Sequence, residues 1–170
     1  GAYSCATTDE GRYRVVKTVM DLAARYPATC VHAIDALRTE RSTFDAPGFE
    51  IQVHAGLLYY QQEYGAVVTL ADAEGRDRLE SVTALRAEAQ RKLGDHHKAI
   101  VTCDELIARC DRPGLGRAQH EALVSVLCCR GYCNLELGRS DPGRLPRAAK
   151  DLERALATAA GHDVPVPPRA

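Results

Sequence analysis

The stretch Thr83 to Cys110, TALRAEAQRKLGDHHKAIVTCDELIARC, constrains the fold of this chain more than any other. It reads as two short helices around a tight turn at Gly94-Asp95. The first carries Leu85, Ala89 and Leu93 on one face, with Ala87 beside them. The second repeats apolar residues at Ala99, Ile100, Cys103, Leu106, Ile107 and Cys110, the spacing of a buried helical stripe. Gly94 suits the end of the first helix, where a left-handed backbone costs little without a Cβ. Asp95 stands where a side chain can cap the N–H groups of the second. One hairpin cannot bury both its faces, so the pattern demands stacked neighbours.

The rest of the chain supplies candidates. Residues 1–8 read as a loose lead-in. From Asp9 a helix carries Tyr13, Val16, Met20 and Ala23 at three-to-four spacing and closes at Pro27. A second runs through Cys30, Val31, Ile34 and Leu37 to about Arg41, and Ser42 to Gly48 has turn chemistry. Phe49, Ile51 and Val53 alternate with Glu50, Gln52 and His54 as a strand would, but no second strand is in sight to pair with them. Phe49 to Tyr64 is therefore expected to be one helix, followed by another through Val67, Val68, Leu70 and Ala71 towards Gly75. After the loop DRPGLG, Arg117 to Gly138 forms a long helix. Its apolar residues cover more than one face, so it is expected to be sandwiched. Asp141-Pro142-Gly143 marks a turn, and Pro146 suits the first position of the next helix. That helix is expected to bury Ala149, Leu152, Ala155 and Leu156 and to end at Gly161, leaving residues 162–170 as a mobile tail.

At LGDHHKAI the sequence resembles the tetratricopeptide repeat family. The match is Ala89, Leu93, Gly94, the Ala99-Ile100 pair and Leu106-Ile107, in that family's order across its two helices. A degenerate copy runs through Gly131, Tyr132, Leu137 and Gly138, then Ala148, Ala149, Leu152, Ala155 and Leu156, with about five extra residues between the helices. A third, Gly56 to Gly75, keeps Gly56 and Tyr59. The resemblance covers residues 50–160, clearest at 84–110. It implies stacked hairpins with a concave face lined by the first helix of each pair. Carried over by position, the groove candidates are Glu88, Arg91 and Lys92 in one copy and Ser125, Cys129, Tyr132 and Glu136 in the other. The asparagine clamp by which some members hold a C-terminal carboxylate is not matched, because Asn134 is the chain's single asparagine.

No set of residues assembles into a catalytic motif. Asp95-His96-His97 spells a metal-binding phosphoesterase signature, but it falls in a helix–helix turn with no strand before it. Cys128, Cys129 and Cys133 share one helix, and Cys129 and Cys133 are one turn apart. Zinc would need further ligands, from Cys103 or His120, and adjacent cysteines in an apolar stripe are ordinarily packing residues. Nothing in the sequence joins His32, His54, His120 or His162 to a cysteine nucleophile. Gly114-Leu115-Gly116 is too short for a phosphate loop. Tyr59, Tyr60 and Tyr64 read as packing aromatics.

Composition narrows the partners. A net charge of -1 and pI near 6.6 give no broad footprint for nucleic acid or an anionic membrane. No apolar run approaches the ~20 residues of a membrane span. Seven cysteines in irregular spacing suit a reducing cytoplasm rather than a disulfide scaffold. The excess of arginine over lysine and the abundant alanine point to a GC-rich bacterial genome. At 170 residues and 45% hydrophobic content the chain can build a real core. The expectation is an all-α protein with one domain over residues 9–161, built of antiparallel helix hairpins stacked as a short superhelix. It is read as a non-catalytic cytoplasmic module for a protein or peptide partner, without cofactor or metal, self-association remaining open. It would be the sensory or scaffolding part of a larger regulatory protein. The alternative is a small all-helical enzyme or metal-binding protein that uses the Cys128/Cys129/Cys133 helix.

Overall fold

The computed structural model describes residues 18, 47–73 and 79–167. The expected helices between Asp9 and Arg41 lie, Thr18 apart, outside the described residues, as does the end expected near Gly75. Contacts divide the chain into two compact units, Gly1–Leu70 and Ala71–Ala170, where the sequence reading drew one domain. Among the described residues all regular structure is helical and none is strand.

In the first unit, α1 (Pro47–Tyr60) begins two residues inside the expected loop, with Pro47 and Gly48 already helical. The alternating Phe49–His54 segment is helix, as the missing partner strand required. The helix does not run on to Tyr64. It stops at Tyr60, Gln62 takes a left-handed φ of 62°, and α2 (Tyr64–Asp72), whose last two residues fall in the second unit, starts afresh. The Glu63 N–H donates to the Leu58 carbonyl at 2.9 Å, which closes the turn. The break lets Tyr64 meet Tyr59 edge-on, with centroids 5.4 Å apart.

The second unit holds α3 (Glu80–Lys92), α4 (His96–Cys110), α5 (Arg117–Leu137), a 3-10 turn at Pro142–Arg144 and α6 (Leu145–His162). Between α3 and α4, Gly94 adopts φ 82°. The Asp95 N–H reaches the Gln90 carbonyl at 2.9 Å and the Gly94 N–H reaches the Arg91 carbonyl at 3.0 Å. This is the double bond of a Schellman end, and it satisfies carbonyls the helix leaves open. Asp95 does stand at the N-cap of α4, but its side chain makes no cap bond. Its carboxylate instead takes Lys98 Nζ at 3.1 Å. Leu93, placed on the apolar face by spacing, is 51% exposed because it sits at the cap, past the last packed turn.

The stripe of α4 is buried at Ala99, Cys103, Leu106, Ile107 and Cys110, with Ile100 packed partly against the same core. Two polar bonds tie α4 to α3: Thr102 Oγ1 to Gln90 Oε1 at 2.8 Å, buried, and Arg109 Nη2 to Thr83 Oγ1 at 2.9 Å. α5 packs against α3, α4 and α6 together. That is why its buried residues, from Ala122 round to Asn134, occupy almost the whole circumference.

The burial of α6 differs from expectation. The helix buries Ala148, Asp151, Ala155 and Ala159, while Ala149 and Leu156 face outward and Leu152 is half-buried. Two features of α5 set this rotation. Arg130 donates to Asp151 through Nε at 2.9 Å and Nη2 at 2.6 Å, and its Nη1 reaches Asp104 of α4. Gly131 lets α6 come close: a Cβ there would lie 2.9 Å from Leu152 Cδ2 and 3.4 Å from the Ala148 carbonyl oxygen. Pro146 occupies the second helical position rather than the first, since α6 starts at Leu145. Beyond the helix, Val164 is buried in the core and its N–H bonds the Ala159 carbonyl at 3.0 Å.

Two substitutions test this account. Gly131→Ala should lower stability by about 1–3 kcal/mol through overpacking against Leu152. Asp151→Ala, which leaves Arg130 half-buried with only Asp104, should cost about 3 kcal/mol. Urea midpoints by circular dichroism read both, and unchanged midpoints would contradict the packing described.

Candidate functional site

Because α5 is enclosed by three helices, its side chains reach solvent along one strip. Ser125, Tyr132 and Glu136 lie on that strip, with Glu121 at its start, and all four are half-buried. On α3 the half-buried residues Ser81, Leu85, Glu88 and Lys92 share a face at helical spacing, and Arg91 lies beside them. The two strips meet at Arg91, whose guanidinium carbon sits 5.8 Å from the centre of the Tyr132 ring. Its Nε also donates to Glu88 Oε2 at 2.9 Å. Side-chain exposures of 16% for Arg91 and 14% for Glu88 mean that this pair is largely shielded from water. Such shielding strengthens both the ion pair and the contact with the ring. Further along, Glu136 pairs with Arg139 at 3.0 Å in the open.

The expected groove residues thus divide. Glu88, Arg91 and Tyr132 are brought together, Ser125 and Glu136 continue the α5 strip, and Lys92 follows Glu88 by one turn. Cys129 does not belong to this surface, since it is fully buried. Position alone could not reveal that, because α5 is packed on the Cys129 side as well. Leu85, read from the sequence as part of the apolar face of α3, and Glu121 were not named as groove residues, although their spacing from Glu88 and Ser125 is the signal that finds them.

The cysteines form part of the core. Cys103, Cys110, Cys128, Cys129 and Cys133 are free and buried. Hydrogen bonding with Cys103, countered in part by Cys133 and joined by burial, raises the Cys129 thiol well above its ordinary range. Cys133 is raised by its bond with Cys129 and then by burial. Burial, helped by the Glu88 charge, pushes Cys128 up to about 11. Burial also raises Cys110, with Glu80 adding to the effect. The raised thiols of Cys110, Cys128, Cys129 and Cys133 are protonated at neutral pH, whereas nucleophiles and metal ligands act as thiolates. Among the described residues no group of three or more His, Cys, Asp and Glu side chains is arranged to hold a metal ion.

The histidines are dispersed. His120 and His162 stack on one another, with centroids 3.5 Å apart, where α5 begins and α6 ends. His96 is half-buried in the first turn of α4 and its Nδ1 finds no hydrogen-bond partner, while His97 is exposed. His54 is half-buried on α1, and His32 lies outside the described residues. No described helix is long and apolar enough to cross a membrane.

Comparison with protein-family models, curated proteins and solved structures finds no match for this chain.

The raised thiols carry a pH signature. A cysteine held above its unfolded value near 9.0 favours folding fully below that pH, and the contribution is lost as pH rises towards the folded value. The urea midpoint should hold steady to about pH 9 and fall between pH 9 and 11. In Cys128→Ala the fall should be shallower; an equal slope would remove this thiol as a cause.

Proposed function

We propose that the second unit is a helical-repeat module, similar to stacked tetratricopeptide hairpins, that binds a protein or peptide segment on the α3/α5 face. The observation that carries this reading is the Arg91–Tyr132 contact, which joins the accessible strips of two successive first helices into one surface. The packing order supports it. α3 pairs with α4, α5 pairs with α6, and α5 rests on both members of the earlier hairpin. Neighbouring hairpins in a solenoid stack in this manner.

On this surface Tyr132 offers a flat apolar anchor whose ring is held by Arg91. The Glu88–Arg91 pair supplies a fixed polar edge, and Ser125 offers a hydroxyl about two turns before Tyr132 on α5. Lys92 and Glu136 place opposite charges towards the same end, which suits an extended polar segment better than a wholly apolar one. The free, buried thiols are compatible with a reducing compartment, and we place the protein in the cytoplasm.

Selection of a displayed random-peptide library against the intact chain provides the test. Peptides of shared sequence should emerge. Tyr132→Ala should weaken their binding about tenfold or more with the helical circular dichroism unchanged. Selected peptides that bind Tyr132→Ala and Lys92→Glu as well as the unaltered chain would overturn this reading.

A further inference from the structure

The two hairpins repeat their second helices in register, and the repetition exposes a difference. Ala99, Leu106 and Cys110 of α4 correspond to Ala148, Ala155 and Ala159 of α6. These positions face the helix's own hairpin, and all are buried in both copies. The adjacent positions behave otherwise. Ile100 and Ile107, beside Asp104 on α4, pack into the core where α5 lies against that helix. Their counterparts on α6, Ala149 and Leu156, are exposed, and Leu156 reaches 59%. Leu145, one turn before Ala149, is 44% exposed on the same side. α6 therefore presents an apolar stripe in the register that α4 uses to seat a helix.

The charges repeat as well. Asp104 stands between Ile100 and Ile107 and receives Arg130 of the helix seated there. In the register that aligns Gly94 with Gly138, Arg130 corresponds to Arg86, and Arg86 is itself held by Asp72 at 2.7 Å. Each hairpin thus carries an arginine at this position of its first helix, and each arginine is paired with a carboxylate. On α6 the counterpart of Asp104 is Glu153, between Ala149 and Leu156. It is exposed and joins no ion pair among the described residues.

We propose that α6 is the seat for one amphipathic helix of a partner protein, laid along Leu145, Ala149, Leu152 and Leu156 with an arginine on Glu153. The arginines that hold this position in the chain, Arg86 and Arg130, are both already paired, so the arginine that Glu153 calls for is assigned to the partner's helix. The seat lies on the second helix of its hairpin, whereas the α3/α5 surface lies on the first helices.

The probe is a labelled synthetic peptide of residues 117–137, the helix this chain already lays on α4, titrated against the intact chain by fluorescence anisotropy. Saturable binding is expected. It should weaken about tenfold or more with Leu156→Lys and with Glu153→Arg, both at exposed positions where folding is undisturbed. A peptide carrying Arg130→Glu should bind the unaltered chain weakly and recover on the Glu153→Arg chain. Tyr132→Ala should leave this binding unchanged, which separates the seat from the peptide surface proposed above. Absence of binding, or binding indifferent to both α6 substitutions as exchange with α5 would give, overturns the proposal. So does concentration-dependent dimerisation abolished by Leu156→Lys, which would make a second copy the occupant.

Discussion

Arg130 is the interaction on which the second unit depends. From the middle of α5 it grips Asp151 of α6 with two nitrogens and Asp104 of α4 with the third. Burial alone would work against the guanidinium charge, but hydrogen bonds and attraction from the two carboxylates more than offset it and hold the group charged. The planar fork suits this duty as an ammonium would not, because it can serve one carboxylate with two bonds and still reach another. The bidentate pair fixes the rotation of α6 as well as its distance. A rotation that buried Leu156 would carry Asp151 away from Arg130 and leave both charges uncompensated.

That rotation explains why so many small residues line the joints. Ala148, Ala155 and Ala159 face α5, and Gly131 meets Leu152 where a methyl group would collide. Close helices need small side chains, and the apolar area given up there is recovered on α5, which is covered on three sides. The cysteines serve the same packing. The thiols of Cys103, Cys129 and Cys133 fill the joint between α4 and α5 as small groups that bond one another, and those bonds, joined by burial, raise Cys129 and Cys133 above the ordinary thiol range.

Much of this was legible in the residues themselves. Gly94 marked a left-handed helix end, and its φ of 82° bears that out. The 99–110 stripe named the buried face of α4, and the many-sided apolar pattern of α5 announced a helix with neighbours all round. Other features were hidden because they depend on groups far apart in sequence. Leu156 is more apolar than Asp151, so spacing and hydropathy choose the wrong face of α6. Only the arginine 21 residues away makes the aspartate the buried one. The candidate surface was legible in the same measure. Glu88, Arg91 and Tyr132 could be named by position, but Cys129 could not be separated from them until the packing around α5 was known.

Taken alone, the sequence determined that the described part of this chain is helical, where its hairpin turns, and which residues of α4 and α5 are apolar enough to be covered. Those are consequences of local backbone preference and of side-chain periodicity, which act within a few residues. The tertiary structure decided how α6 is rotated, which thiols meet, and that the strips of α3 and α5 become one surface through Arg91 and Tyr132. Each of those outcomes turns on a charge or a close approach between separate helices, and no local pattern records which partner a buried charge will find.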